Sequence, residues 1–314
     1  MNVLLARTRA ELRGFLSSLS QTLEEAGVHV SVGFVPTMGA LHEGHASLIR
    51  RSSKETSITV VSIFVNPKQF GANEDLAKYP RTLEADLSVC ENAGAHIVFA
   101  PSAEEMYPAD FTTQVSVGGM ADVLCGAYRS GHFSGVCTVV LLLLNLVRAD
   151  QAYFGLKDFQ QFSILSRMVE DLVHPTRLVG IPTVRDRDGV ALSSRNKFLD
   201  AQARRLALKI PAALKTVAQS FLQGMSKSSE LLSLCLSSLK NEDGFEVQYC
   251  EIRDAKTLGQ SSETIETDHV LAVAVFVTGA DGVKTRLIDN ILLTHDPENL
   301  SALLDFAHES VALS

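Results

Sequence analysis

His42-Glu43-Gly44-His45 is the stretch whose residue types and spacing point most directly to chemistry. It follows an apolar run, Val32-Gly33-Phe34-Val35-Pro36, and opens a helix-like segment that ends near Lys54. The spacing places both imidazoles on one helix face, beside the free backbone N–H groups at the positive end of the helix dipole. That arrangement suits a polyphosphate. Zinc is a poorer reading, because zinc-binding helices place His at i and i+4 with a Glu base between them, whereas these two are at i and i+3. A merely structural pair of histidines is the plain alternative. The preceding strand, the Pro-Thr-Met-Gly turn and the glycine near the helix start weigh against it.

The elements that must hold this motif follow from hydrophobic periodicity. Leu12, Phe15, Leu16, Leu19 and Leu23 form a helical stripe, followed by the strand to Val35, the helix with Leu48 and Ile49, and the β-branched strand Ile58 to Val65. Thr82 is placed to cap a helix carrying Leu83, Leu87 and Cys90, and Gly94 to end it before a strand over Ile97 to Ala100. An apolar helix around Val136 to Val147, a strand Ala152 to Phe154, a helix Phe159 to Val173 and a strand Leu178 to Ile181 continue the alternation. The pattern predicts an α/β fold, a Rossmann-like doubly wound parallel sheet over residues 1–182, with ligands at the carboxyl ends of its strands. After Pro182 helices come first and strands later: a helix from an Asp200 cap to about Leu222, a second through Leu239, then strands near Phe245 to Ile252, His269 to Val277 and Thr285 to Leu293. Residues 183–314 therefore read as a smaller α+β lid domain with a C-terminal extension, the last two strands joined by Gly279-Ala280-Asp281-Gly282.

Composition narrows the functional classes. A formal charge of −8 over 314 residues argues against a nucleic-acid binder, so the local basic residues must serve a small anion. The five cysteines, Cys90, Cys125, Cys137, Cys235 and Cys250, contain no C-x-x-C pair and suit a reducing cytoplasm. Met1 to Ala6 is too short for a signal-peptide core, and Val136 to Val147 is too short to span a bilayer, so no membrane association is expected. No G-x-x-x-x-G-K-[ST] loop occurs, which disfavours the usual γ-phosphoryl kinase.

Four further segments set polar groups in apolar surroundings. They are Ile63-Phe64-Val65-Asn66-Pro67-Lys68-Gln69-Phe70, Arg129-Ser130-Gly131-His132-Phe133-Ser134-Gly135, Phe154-Gly155-Leu156-Lys157-Asp158-Phe159-Gln160-Gln161, and Ala191-Leu192-Ser193-Ser194-Arg195-Asn196. Together with Pro36-Thr37-Met38-Gly39-Ala40-Leu41-His42-Glu43-Gly44-His45, and in the same order along the chain to about Leu293, they closely resemble the pantoate–beta-alanine ligases, or pantothenate synthetases, of the H-x-G-H nucleotidyltransferase superfamily.

The resemblance implies a two-step reaction in which pantoate and ATP give pantoyl adenylate and pyrophosphate, after which the amine of beta-alanine displaces AMP. It implies ATP binding by Met38, Gly39, Ala40, Leu41, His42, Glu43, Gly44 and His45, by Gly155, Leu156, Lys157 and Asp158, and by Val184, Leu192, Ser193, Ser194 and Arg195. His42, His45, Lys157 and Arg195 match the catalytic positions, Gln69 and Gln161 the pantoate contacts, and Arg129 and His132 positions near the second-substrate entrance. Pro36, Met38, Phe64, Val136, Val139 and Val140 are candidates to surround the gem-dimethyl group of pantoate, an ordinary core being the plain alternative for any one of them. Mg²⁺ is expected on the ATP phosphates rather than in a protein cage, since no carboxylate cluster with fixed spacing appears. The family is dimeric, and the apolar segment near Val136 to Val147 adds an expectation of a homodimer.

The chemistry agrees with these residue types. A carboxylate is ionised at neutral pH, so its attack on the α-phosphorus needs alignment and relief of phosphate charge more than a base. Neutral amides hold such a carboxylate without the strong ion pair that would blunt it as a nucleophile. Three departures from the family pattern stand out: Leu156 where a polar residue is usual, Ser130 in place of a common Pro, and the extension Thr294 to Ser314 with Asp296-Pro297 as a helix start. The alternative enzyme is a related H-x-G-H nucleotidyltransferase that leaves the nucleotide on its product, such as a phosphopantetheine or nicotinate mononucleotide adenylyltransferase. The neutral Gln69 and Gln161 disfavour its phosphorylated acceptor. A catalytically silent nucleotide-binding regulator is the third reading, and His45, Lys157 and Arg195 argue against it.

Overall fold

The computed structural model describes residues 3–71, 76, 79–240, 242–296 and 305–306. Contacts divide the chain into two units. Met1–Asp122, Gly126–Leu156 and Ile164–Ile181 make the first, and Val123–Cys125, Lys157–Ser163 and Pro182–Ser314 the second.

In the first unit, the apolar runs become six parallel strands and the amphipathic stretches their crossovers. The order along the chain is β1 (Leu4–Ala6), α1 (Arg9–Glu25), β2 (Val32–Thr37), α2 (Glu43–Glu55), β3 (Ile58–Ile63), α3 (Leu83–Ala93), β4 (Ile97–Phe99), α4 (Ala103–Met106), α5 (Cys125–Tyr128), α6 (His132–Val147), β5 (Gln151–Gly155), α7 (Phe159–Asp171) and β6 (Arg177–Ile181). Within the sheet the order is β1-β4-β3-β2-β5-β6, so the chain reverses direction across β2 and β5. The carboxyl ends of those two strands flank the switch point where an open α/β sheet binds ligands. Helices α2 and α3 cover one face, over a core that includes Val35, Ile49, Val61, Cys90, Val98 and Tyr153. Helices α1 and α6 pack together on the other.

Pro36 is tolerated in a central strand for a local reason. The β2–β5 ladder stops at Phe34, so the missing N–H falls where that pairing has already ended. The edge strand β1 was not foreseen, because three residues are too few to show an alternation. Helix α6 begins at His132, one turn earlier than its apolar run, behind Gly131 at φ 76°. Most of its apolar side chains are buried within this unit, leaving Leu141, Leu142 and Leu146 half-buried. The surplus of apolar surface expected there is thus largely used by the unit's own core.

In the second unit, α8 (Ala201–Ala207), α9 (Lys209–Leu222) and α10 (Ser228–Ser238) precede an antiparallel sheet of β7 (Phe245–Asp254), β8 (His269–Thr278) and β9 (Lys284–Leu293), in that order. The single helix expected from Asp200 to about Leu222 is broken at Leu208. Pro211 explains the break, since it has no N–H for the Ala207 carbonyl and its ring crowds that oxygen. Asp200 does cap α8, accepting from Ala203 N at 2.8 Å, and its other oxygen accepts from Ala280 N in the β8–β9 hairpin. One carboxylate thus ties a helix start to the turn that sets the register of β9. Of the C-terminal extension, the helix start expected at Asp296-Pro297 lies outside the described residues from 297 on. Phe306 packs against the second unit's core, 4.4 Å below the Arg185 guanidinium. All five cysteines are buried free thiols. No described helix is long and apolar enough to cross a membrane.

Candidate active site

The histidine pair sits at the carboxyl end of β2. Helix α2 starts at Glu43, so His42 is its N-cap in extended conformation (φ −134°, ψ 178°) and only His45 is helical. The expectation of two imidazoles on one helix face is corrected to a reciprocal cap. Gly44 N donates to His42 Nδ1 at 3.1 Å, and His42 N donates to His45 Nδ1 at 3.3 Å. The rings lie 4.2 Å apart by their centroids. Because a backbone N–H only donates, each Nδ1 is an acceptor, and the neutral rings carry their protons on Nε2. Gly44 follows from the same geometry: a Cβ there would stand 2.9 Å from His42 Cε1 and 3.0 Å from its Nδ1.

The loop between β2 and the cap is strained and held. Gly39 has φ 83° and Ala40 φ 50°, the latter in a region that costs an L-residue about 1 kcal/mol. Asp86, 2% exposed on α3, accepts from Ala40 N at 3.1 Å and Leu41 N at 2.8 Å. Thr82, expected as a helix cap, makes no cap bond from its side chain. Its hydroxyl donates to Asp86 Oδ2 at 3.2 Å. The Asp86 carboxylate therefore replaces Thr82 as the acceptor that matters here, and it acts on the loop that delivers the histidines. Sequence reasoning missed it, because Asp86 beside Glu84 in the first turn of a helix reads as ordinary dipole compensation.

Gln69 closes a 3-10 turn, Pro67–Gln69, beyond β3 and is 8% exposed. Its Nε2 donates to Met38 Sδ at 3.0 Å, and its Oε1 accepts from Asn66 Nδ2 at 3.1 Å. Asn66, 1% exposed, also donates to the Gly135 carbonyl at 3.1 Å and accepts from Lys68 N at 3.2 Å and the Tyr107 hydroxyl at 2.8 Å. That hub was quoted in the motif without a role. His132 is buried, and its Nδ1 lies 2.9 Å from the Gln69 carbonyl oxygen. A carbonyl only accepts, so Nδ1 carries the proton and Nε2 accepts from Arg129 Nη1 at 2.8 Å. Phe64, Val136, Val139 and Val140 are core residues of this unit.

The second unit gathers the cations. Lys157, Val190, Ala191, Ser193, Arg195 and the β9 residues Arg286 to Asp289 line one cavity of about 400 Å³ including its open mouth. Of the candidate nucleotide-binding residues in this unit, Lys157, Ser193 and Arg195 are brought together there, while Asp158, Val184, Leu192 and Ser194 lie outside the lining. Ser193 caps the 3-10 turn Ser194–Phe198, accepting from Arg195 N at 3.3 Å. Val184 and Leu192 pair across a small hairpin, with Leu192 N donating to Val184 O at 2.9 Å. Gln161 is half-buried on α7. Its neighbour Gln160 is the structural amide, accepting from Cys125 N at 2.9 Å and donating to the Val123 carbonyl at 2.7 Å.

Arg286 was not anticipated. Its Nε donates to Gln248 Oε1 at 2.8 Å and its Nη2 to Cys125 Sγ at 3.3 Å. Burial works against its charge, and the contacts with Cys125 and Tyr249 outweigh that, holding the guanidinium above its usual range. Gly155 and Leu156 precede Lys157 in the chain, and both belong to the first unit. Gly155 has no positive φ, and a Cβ there would meet nothing within 4 Å, so protein packing does not require the glycine. Among the described residues no group of three or more His, Cys, Asp or Glu is arranged to hold a metal ion.

The family described as Pantoate-beta-alanine ligase matches residues 5–292. The chain is 49% identical to a pantothenate synthetase of Sulfurihydrogenibium sp. over 281 residues, covering 88% of this chain and 97% of the relative. It is 50% identical to that of Alcanivorax borkumensis over 264 residues, covering 84% and 90%. Its structure is similar to pantothenate synthetase from Thermus thermophilus, with a TM-score of 0.83, 40% identity and coverage of 93% of this chain and 100% of the other. It is also similar to the pantoate-beta-alanine ligase of Francisella tularensis complexed with beta-gamma ATP and beta-alanine, with a TM-score of 0.70, 32% identity and coverage of 93% and 98%.

Proposed function

The chain belongs to the pantoate-beta-alanine ligase family, and on that premise we propose how its residues condense pantoate with beta-alanine at the expense of ATP. The observation that carries the reading is the reciprocal histidine cap at the end of β2, which leaves an Nε2–H on each ring at a helix N-terminus. A pantoate carboxylate oxygen attacks the α-phosphorus, the bond to the bridging oxygen breaks, and pyrophosphate leaves. The amine of beta-alanine then attacks the acyl carbon and AMP leaves.

His45, with His42 beside it, donates hydrogen bonds to the charge that develops on the phosphate oxygens. A full proton transfer is not needed, because pyrophosphate is a good leaving group. Lys157 and Arg195 supply positive charge, and Ser193 and Ser194 supply hydroxyls to the nucleotide. The backbone of Met38 to Leu41 and of Gly155 to Asp158 approaches the nucleotide, with Glu43 and Gly44 completing the helix start, and Val184 and Leu192 form the adenine-side wall. The absence of any packing reason for Gly155 supports this close approach. Gln69 and Gln161 bind pantoate, and ATP enters with Mg²⁺ on its phosphates as substrate.

This scheme predicts that pantoate without beta-alanine supports exchange of labelled pyrophosphate into ATP, and that AMP forms only when both organic substrates are present. Exchange that strictly requires beta-alanine would rule out a free-standing first half-reaction. For assembly we propose a homodimer, drawing on Leu141, Leu142 and Leu146 of α6 as the apolar surface still partly open to solvent. Sedimentation at micromolar concentration should give twice the 34.0 kDa chain mass. A single species of chain mass would refute the dimer.

A further inference from the structure

The edge strand β9 carries two adjacent polar residues that hold the two cation-bearing segments of the second unit. Asp289, 3% exposed, receives Arg185 through both guanidinium nitrogens, Nη1 at 2.6 Å and Nη2 at 3.0 Å. Arg185 Nη1 also donates to the Gly189 carbonyl at 3.1 Å, and Arg185 pairs with Ala191 across an antiparallel bridge. This braces the hairpin that runs directly into Ser193 and Arg195. The next residue, Asn290, points to the opposite face of the strand. Its Nδ2 donates to the carbonyl oxygen of Lys157 at 2.8 Å. Asp289 Oδ1 accepts from Asn290 N at 2.8 Å, so the ion pair also fixes the main chain from which Asn290 reaches. The cavity lined by Lys157, Ser193 and Arg195 is bounded by this same strand.

We propose that Asn290 is a positioning residue for the adenylation half-reaction, fixing the Lys157 backbone while its neighbour Asp289 fixes the segment that ends in Arg195. The proposal rests on Lys157 acting on the triphosphate. A lysine stem has four rotatable bonds, so where its ammonium falls depends first on where its own backbone is held, and transition-state charge is stabilised only by donors already in place. Lys157 is the middle residue of the 3-10 turn Leu156–Asp158 that follows β5, and the Asn290 amide is a side-chain hydrogen bond to its carbonyl from outside that segment.

The test is a double-mutant cycle read by pyrophosphate exchange, which reports adenylation alone. Asn290→Ala should lower the exchange kcat about tenfold, with the KM for pantoate within about twofold of the parent. In a Lys157→Ala background, Asn290→Ala should change kcat by less than about twofold, because the group it positions is gone. A merely structural role would instead multiply the two effects, and multiplication would overturn the proposal. So would an Asn290→Ala exchange rate within twofold of the parent. Should Asn290→Ala fail to fold, Asn290→Asp keeps the shape, removes the N–H donor, and enters the same cycle with the same expectations. If Lys157→Ala alone leaves exchange intact, the assignment of Lys157 fails and the proposal with it. A damaging Lys157→Ala beside a harmless Asn290 variant refutes only the proposal.

Discussion

His45→Ala, Lys157→Ala and Arg195→Ala are each expected to lower kcat for AMP formation by roughly a hundredfold or more, the loss typical of a donor aimed at transition-state charge. The attacking group is already a carboxylate and the leaving group already a good one. Little of the barrier is therefore left for proton transfer, and most of it is charge on phosphate oxygens. For His45 the hydrogen bond from His42 N to Nδ1 fixes which ring nitrogen carries the proton, Nε2. His45→Gln should therefore recover more activity than His45→Ala, because an amide N–H replaces the imidazole donor. Gln69→Ala should behave differently, raising the KM for pantoate with a smaller change in kcat, since the role proposed for Gln69 is to bind pantoate and its amide is held by Asn66. Initial rates of AMP formation over a matrix of ATP and pantoate concentrations separate the two patterns. Near-normal turnover in both His45→Ala and Lys157→Ala would remove the mechanism.

The parallel sheet was legible because its strands are apolar runs separated by helical stripes, and the candidate motifs were legible because they fall at strand ends. What could not be read is what one segment does to another. The H-x-G-H glycine looked like helix-start permissiveness, whereas it clears the His42 ring. Thr82 had the right type and place for a cap, yet its hydroxyl serves Asp86, whose loop contacts span forty-five and forty-six residues of chain. Residues 157–163 read as a continuation of the first domain because helix periodicity runs through them, but their contacts lie with the second unit. Asp289 and Asn290 gave no signal at all, since an Asp-Asn pair inside a strand reads as weak β-propensity until its partners, Arg185 and the Lys157 carbonyl, are known.

Gly135→Ala should have a large effect for a single methyl group on the turn that carries Gln69. An ideal Cβ at Gly135 would lie 2.2 Å from the Lys68 carbonyl oxygen and 2.7 Å from Gln69 Cα, and both are backbone atoms that cannot rotate aside. The turn is also tied to α6 by two hydrogen bonds, Asn66 Nδ2 to the Gly135 carbonyl and His132 Nδ1 to the Gln69 carbonyl. Adding the methyl therefore forces the Pro67–Gln69 turn and α6 apart and loosens the bonds that orient Gln69. Overpacking of this kind costs about 1–3 kcal/mol. The Tm should fall by several degrees, and the KM for pantoate should rise at least tenfold while the KM for ATP stays within about twofold. Gly14→Ala is the matched control: it lies in α1 with nothing within 4 Å of its Cβ, and there alanine should stabilise the helix slightly. A folded Gly135→Ala enzyme with an unchanged KM for pantoate would show that the turn holding Gln69 does not set the pantoate site.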